Sequence, residues 1–197
     1  TTDIHKRCSS GHGGTSAAAP LAAGIFALVL LVNPELTWRD MQYVAAMSAV
    51  PLNEDDGDYQ INALGRKYSH KYGYGKIDAY NMVHFAKNWK NVKPQSWYYT
   101  DDSAVHETII GATEPKKVIK KSVEITKEDL EQANFERVEQ ITLLVDIRSN
   151  IRGKVGARIR SPFGVVSELA TFRPSDFNTK GFRGWTFMSV AHWGESG

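Results

Sequence analysis

The chain has 197 residues, 42% of them hydrophobic and 23% charged, which is ordinary for a soluble globular protein with room for one large or two modest domains. Its 24 basic and 22 acidic residues leave a formal net charge of +2, and no basic residues cluster with stacking aromatics, which argues against nucleic acid as a partner. The single cysteine, Cys8, reads either as an inert thiol or as half of a disulfide whose partner lies elsewhere.

Thr1 to Ser10 is polar and lacks the apolar stretch of a signal peptide. A start without Met and a stop at Gly197 with no closing element make a piece of a longer protein the expectation. Ser10-Gly11-His12-Gly13-Gly14 is too rich in glycine for regular structure, and an apolar helix follows from about Ser16 to Val32. Its run Ala17 to Val32 contains Pro20 and Gly24 and falls short of the roughly 18 to 20 residues that span a bilayer, so a buried helix is expected. Asn33-Pro34 ends it, because proline disfavours helical geometry in the preceding residue.

Thr37 then caps a second helix, with Asp40 completing a weak capping-box pattern and Met41, Val44, Ala45 and Ser48 at helical spacing. Asn53 to Asp58 reads as an acidic loop and Tyr72-Gly73-Tyr74-Gly75 as a tight turn. Asp78 caps a third helix, whose Met82, Phe85, Ala86 and Trp89 share a face.

Around Asn91 to Pro94 the texture changes to alternation: Ile119, Val123 and Ile125, then Ile141, Leu143, Val145 and Ile147. Ser161-Pro162-Phe163-Gly164 reads as a hairpin turn, and a short helix capped by Thr126 runs through Leu130. Lys116, Lys117, Lys120 and Lys121 read as a solvated strand face or edge guard, and Trp185 and Phe187 as core. The pattern is a β-sandwich, joined to the helical part near residues 90 to 97. No internal repeat or low-complexity tract is present.

The chemistry sits in Gly14-Thr15-Ser16-Ala17-Ala18-Ala19-Pro20. A serine on the first turn of a helix has unpaired backbone N–H groups beside it and the positive end of the helix dipole, both suited to a developing oxyanion. Gly13 and Gly14 let a substrate backbone come close, small residues at 17 to 19 let the helix pack deeply, and Pro20 cannot bond the Ser16 carbonyl. The plain alternative is a serine that only caps a helix, and a Ser or Thr before an apolar run is usually that.

With its glycine lead-in and later proline, this stretch resembles the serine motif of the subtilisin superfamily. His12-Gly13-Gly14-Thr15-Ser16-Ala17-Ala18-Ala19-Pro20-Leu21-Ala22-Ala23-Gly24, with Cys8 ahead of it, resembles the kexin and furin branch, the proprotein convertases. Asn33-Pro34-Glu35-Leu36-Thr37-Trp38-Arg39-Asp40 and Tyr72-Gly73-Tyr74-Gly75-Lys76-Ile77-Asp78-Ala79 match the same branch. Gly181-Phe182-Arg183-Gly184-Trp185-Thr186-Phe187-Met188-Ser189-Val190 and Trp193-Gly194-Glu195 resemble the convertase P domain.

The resemblance implies an α/β subtilisin-like catalytic domain, here its C-terminal fragment at residues 1–92, followed by an all-β jelly-roll or β-sandwich P domain at 93–197, incomplete at its end. It implies a calcium-dependent serine endoprotease of the secretory pathway, on the lumenal side of late Golgi membranes, that cleaves precursor proteins after paired basic residues. Ser16 would be the nucleophile, Gly14 and Thr15 would bind substrate, and Cys8 would pair with an upstream cysteine. The family's order of Asp, His, then Ser places both partners before Ser16, and Asp3, His5 and His12 are too near it.

The chain alone is therefore expected to be inactive, without calcium ligands, specificity carboxylates or membrane anchor, and with its P domain packed on the catalytic domain. Asp55, Asp56 and Asp58 lack the spacing of a calcium loop, and His70, His84, His106 and His192 lack metal-ligand spacing. Lys154 stands where many P domains complete an Arg-Gly-Asp after Arg152-Gly153, so adhesion is unsupported. The competing readings are a non-catalytic β-sandwich interaction module and a subtilisin relative of different side-chain preference.

Overall fold

The computed structural model describes residues 4–56, 58–101 and 118–196. Three helices build its first part: α1 (Thr15–Val32), α2 (Trp38–Ser48) and α3 (Ala79–Ala86). A small antiparallel hairpin, β1 (Tyr59–Ile61) with β2 (Lys67–Ser69), lies between α2 and α3. A short helix, α4 (Lys127–Gln132), opens the β-rich part. There β3 (Ile141–Ile147) pairs antiparallel with β6 (Phe182–Ser189), and β4 (Ala157–Arg160) pairs with β5 (Val166–Ala170). Helices first and β-structure second is the mixed architecture expected of a subtilisin-like piece followed by a P domain.

The caps form where the sequence places them. The Thr37 hydroxyl accepts from the Asp40 N–H at 3.2 Å while the Asp40 carboxylate accepts from the Thr37 N–H at 2.8 Å, a complete capping box. Thr126 and Asp129 repeat it on α4, and Asp78 accepts from the Asn81 N–H at 2.9 Å on α3. The turn at residues 161–164 joins β4 to β5, with the Gly164 N–H donating to Ser161 at 3.0 Å. The helical core gathers Val29, Leu36, Met41, Val44, Met82 and Ala86.

Four expectations are corrected. Helix α1 is not a buried helix: Val29 is its one buried residue, and Leu21 and Leu31 are 72% and 79% exposed. Among the described residues, the core it packs into is drawn from α2, α3 and Leu36, and the contact is a stripe toward its C-terminal half, around Ile25, Phe26 and Val29. At 18 residues α1 is also long and apolar enough, by length and composition, to cross a membrane.

The alternation Ile119, Val123, Ile125 does not form a strand; the segment is irregular, with Val123 and Ile125 exposed. A strand needs a neighbour for its backbone groups, and none among the described residues pairs with it. Lys120 and Lys121 therefore guard no strand edge, while Lys116, Lys117 and His106 lie outside the described residues. Trp185 is not core either, since it is 44% exposed. It joins Phe182 and Phe187 in an aromatic cluster, and the Arg152 guanidinium lies 5.7 Å from its ring centre.

Arg152 is committed elsewhere as well, to Asp176 at 2.8 Å. Gly153 is buried, and a Cβ there would lie 2.2 Å from the Arg173 carbonyl oxygen. Arg152-Gly153 is thus part of the scaffold, whereas Lys154 is exposed.

A candidate active-site serine and the seam behind it

Ser16 is the second residue of α1, and it is exposed. The N-cap residue is Gly14, with φ 78° and ψ −170°, a backbone conformation that strains any residue carrying a Cβ. No side chain caps this end. Ser16 is therefore not the helix cap, which removes the plain alternative at this position. The Gly14 carbonyl accepts from the Ala17 and Ala18 N–H groups at 3.1 and 3.2 Å. That leaves the N–H groups of Thr15 and Ser16 at the open, electropositive end of the helix. Pro20 lies inside the helix, so the Ser16 carbonyl loses its partner four residues on.

A hydroxyl with two outward amides at a helix start is chemically equipped for attack on a carbonyl and for holding the oxyanion that results. His5 and His12 are exposed in the irregular lead-in, and Cys8 is exposed with a free thiol.

Away from Ser16, two carboxylates of the acidic loop are paired with lysines of the same chain. Asp56 pairs with Lys71 at 2.9 Å and accepts from the Tyr72 hydroxyl, and Glu54 pairs with Lys67. Asp58 accepts from the Ser69 hydroxyl at 3.0 Å. Among the described residues no group of three or more His, Cys, Asp or Glu is placed to hold a metal.

Behind the helices lies a seam that the sequence reading missed. The Arg39 guanidinium on α2 makes a two-pronged pair with Glu139, at 2.9 and 2.5 Å, and donates to the Lys93 carbonyl. Both side chains are nearly buried. The Tyr43 ring meets the Trp193 ring edge-on at 5.1 Å. Burial, then the neighbouring Glu139 charge, pushes the Tyr43 hydroxyl up to about 12, so it stays a neutral donor.

Asp40 is the hub beneath. It is fully buried, and it accepts from the Thr37 N–H and hydroxyl, from the Trp89 indole N–H at 2.9 Å and from the Val92 N–H at 2.8 Å. Burial works to raise its pKa, but these donors outweigh it and hold the carboxyl below the ordinary range. Of the α2 residues at the seam, Asp40 carried a local sequence signal, its capping box; Arg39 and Tyr43 stand in a helix pattern that gives no hint of the distant partners Glu139 and Trp193.

On the β side His192 is fully buried, with Nδ1 3.2 Å from a Glu195 oxygen that also accepts from the Ser161 hydroxyl at 2.8 Å. The histidine is a structural partner there.

Comparison with known proteins places this geometry. The subtilase family model matches residues 1–75, and the proprotein convertase P-domain model matches residues 138–197. The chain is 61% identical to a kexin of Candida albicans (strain WO-1) across all of its own length and 22% of the relative's. It is 45% identical to a dibasic-processing endoprotease of Yarrowia lipolytica over 97% of its length and 19% of the relative's. Among solved structures, the serine protease of Aeromonas sobria superposes with a TM-score of 0.69 at 21% identity, over 93% of this chain and 35% of that one, which supports the fold. The chain thus spans about a quarter or less of the curated relatives it matches. With both family models matched in order and close identity along its whole length, the chain belongs to the kexin-like proprotein convertases of the subtilase family.

Proposed function

We propose that residues 1–92 supply the nucleophile of a serine endoprotease that processes precursor proteins after paired basic residues, and that residues 93–197 belong to its P domain. The observation that carries this reading is the exposed Ser16 hydroxyl on the first turn of α1, at an end left open by Gly14. Ser16 Oγ attacks the scissile carbonyl carbon and gives its proton to a histidine oriented by an aspartate. The carbonyl oxygen takes the negative charge and leans on the Ser16 N–H. The protonated histidine then donates to the leaving amine, and water releases the acyl group from Ser16 by the reverse path.

Gly14 and Thr15 line the substrate strand in this reading. The histidine, the aspartate and the calcium ligands belong to sequence ahead of Ser16 in the whole protein, and Cys8 pairs with a cysteine there. The dibasic preference comes from relatives such as the Yarrowia endoprotease, and the lumenal late-Golgi setting from the family.

In the whole protein, Ser16→Ala should lower turnover of a Lys-Arg peptide by about a millionfold, with its unfolding midpoint unchanged. A fluorophosphonate should label Ser16 in the parent and not in the variant. Cleavage by the variant within tenfold of the parent overturns the assignment. The chain of 197 residues alone should cleave no such peptide.

A further inference from the structure

The contacts that join the β1–β2 region to the β-rich part have an uneven character: side chains on one side meet main chain on the other. Gln60 donates from Nε2 to the Val166 carbonyl at 2.7 Å and accepts from the Val166 N–H at 2.8 Å. The Tyr74 hydroxyl donates to the Val190 carbonyl at 3.1 Å, and Asn62 Nδ2 donates to the Trp193 carbonyl at 3.2 Å. Leu64 packs on Gly194, where a Cβ would lie 2.2 Å from its Cγ and where φ is 87°.

The strand register explains why Gln60 finds both groups of one residue. Ser161 lies opposite Val165 and donates to its carbonyl at 3.0 Å, which makes that a hydrogen-bonded pair. The next pair, Arg160 with Val166, is then a non-hydrogen-bonded one, whose N–H and C=O point away from β4. The carboxamide of Gln60 takes the place of a neighbouring strand at that edge.

The reading side is built in advance. Asn62 is buried, and its Oδ1 accepts from the Leu64 and Arg66 N–H groups at 3.1 and 3.0 Å, which aims Nδ2 across the seam. Burial pushes the Tyr74 hydroxyl above its ordinary range, so it keeps its proton.

We infer that Gln60, Asn62 and Tyr74 form an intramolecular receptor that recognises the β-rich part by its main-chain path, with Gly194 as the one residue type the path demands. This deepens the proposed packing of the P domain on the catalytic domain and rests on it. Side chains on the reading side set the fit, and those at Val166 and Val190 are free to change.

Hydrogen–deuterium exchange on the full chain tests this, and it involves neither Ser16 nor peptide cleavage, so its failure leaves the protease reading intact. Gln60→Leu should speed exchange at the Val166 amide by about tenfold, and Tyr74→Phe should speed it in residues 190–195 by about threefold. Val166→Ala and Val190→Ala should change the same amides by less than about twofold. The inference is overturned if the alanine variants open the seam as far as Gln60→Leu and Tyr74→Phe do, or if those two leave it unchanged. Should Gln60→Leu lose protection throughout the chain, Tyr74→Phe decides alone: faster exchange confined to 190–195 supports the receptor, and unchanged exchange refutes it.

Discussion

Helix α1 is apolar along its length yet buries Val29 alone, whereas α2, which contains Arg39, Asp40 and Gln42, buries six of its 11 residues. Apolar composition therefore does not say how firmly a helix is held. What holds α2 is a cap that doubles as a hub and an arginine paired across the seam. The proposed nucleophile rides on the loosely covered helix, and the network behind it pins α2, the segment after α3 and the β-rich part to one another.

The sharpest way to break this contrast is at Asp40. Asp40→Ala leaves the partly buried donors of Thr37, Trp89 and Val92 without their acceptor, and should cost about 3 kcal/mol or more in urea unfolding. A loss under about 1 kcal/mol would mean that the hub is not what holds α2. The carboxyl titrates lower in the folded chain than the unfolded value near 3.9. Its contribution is therefore complete above about pH 4 and fades as pH falls through the folded value. Asp40→Asn should flatten the loss of stability over that acid window.

Glu139→Gln comes next. It removes the charge facing a nearly buried Arg39 and should cost about 2 kcal/mol, read as a lower urea midpoint with unchanged slope. The smallest effect belongs to the other helix: Leu31→Gln in this chain should alter stability by less than about 0.5 kcal/mol. A loss near 2 kcal/mol would show that α1 is covered after all.

The legible features were local. Thr37 with Asp40, Asp78, Thr126 and the turn at residues 161–164 each satisfy backbone groups a few positions away, so the sequence displays donor and acceptor together. The serine motif was equally readable, because Gly14, Ser16 and Pro20 act within one or two turns of helix. The seam was not, since Gln60 meets Val166 across 106 positions and Arg39 meets Glu139 across 100. Pattern also misled twice. Alternation marked Ile119 to Ile125 as a strand without asking for a neighbour, and the length of an apolar run marked α1 as buried without asking what would cover it.

The tethering of Arg152 bears on a tripeptide well known for gripping cell-surface receptors. A guanidinium held by Asp176 and laid against Phe182 and Trp185 is not on offer to a receptor, and a glycine wedged under the Arg173 carbonyl tolerates no replacement. Folding alone accounts for the first two residues of that tripeptide in this chain, while Lys154 lies exposed at the surface.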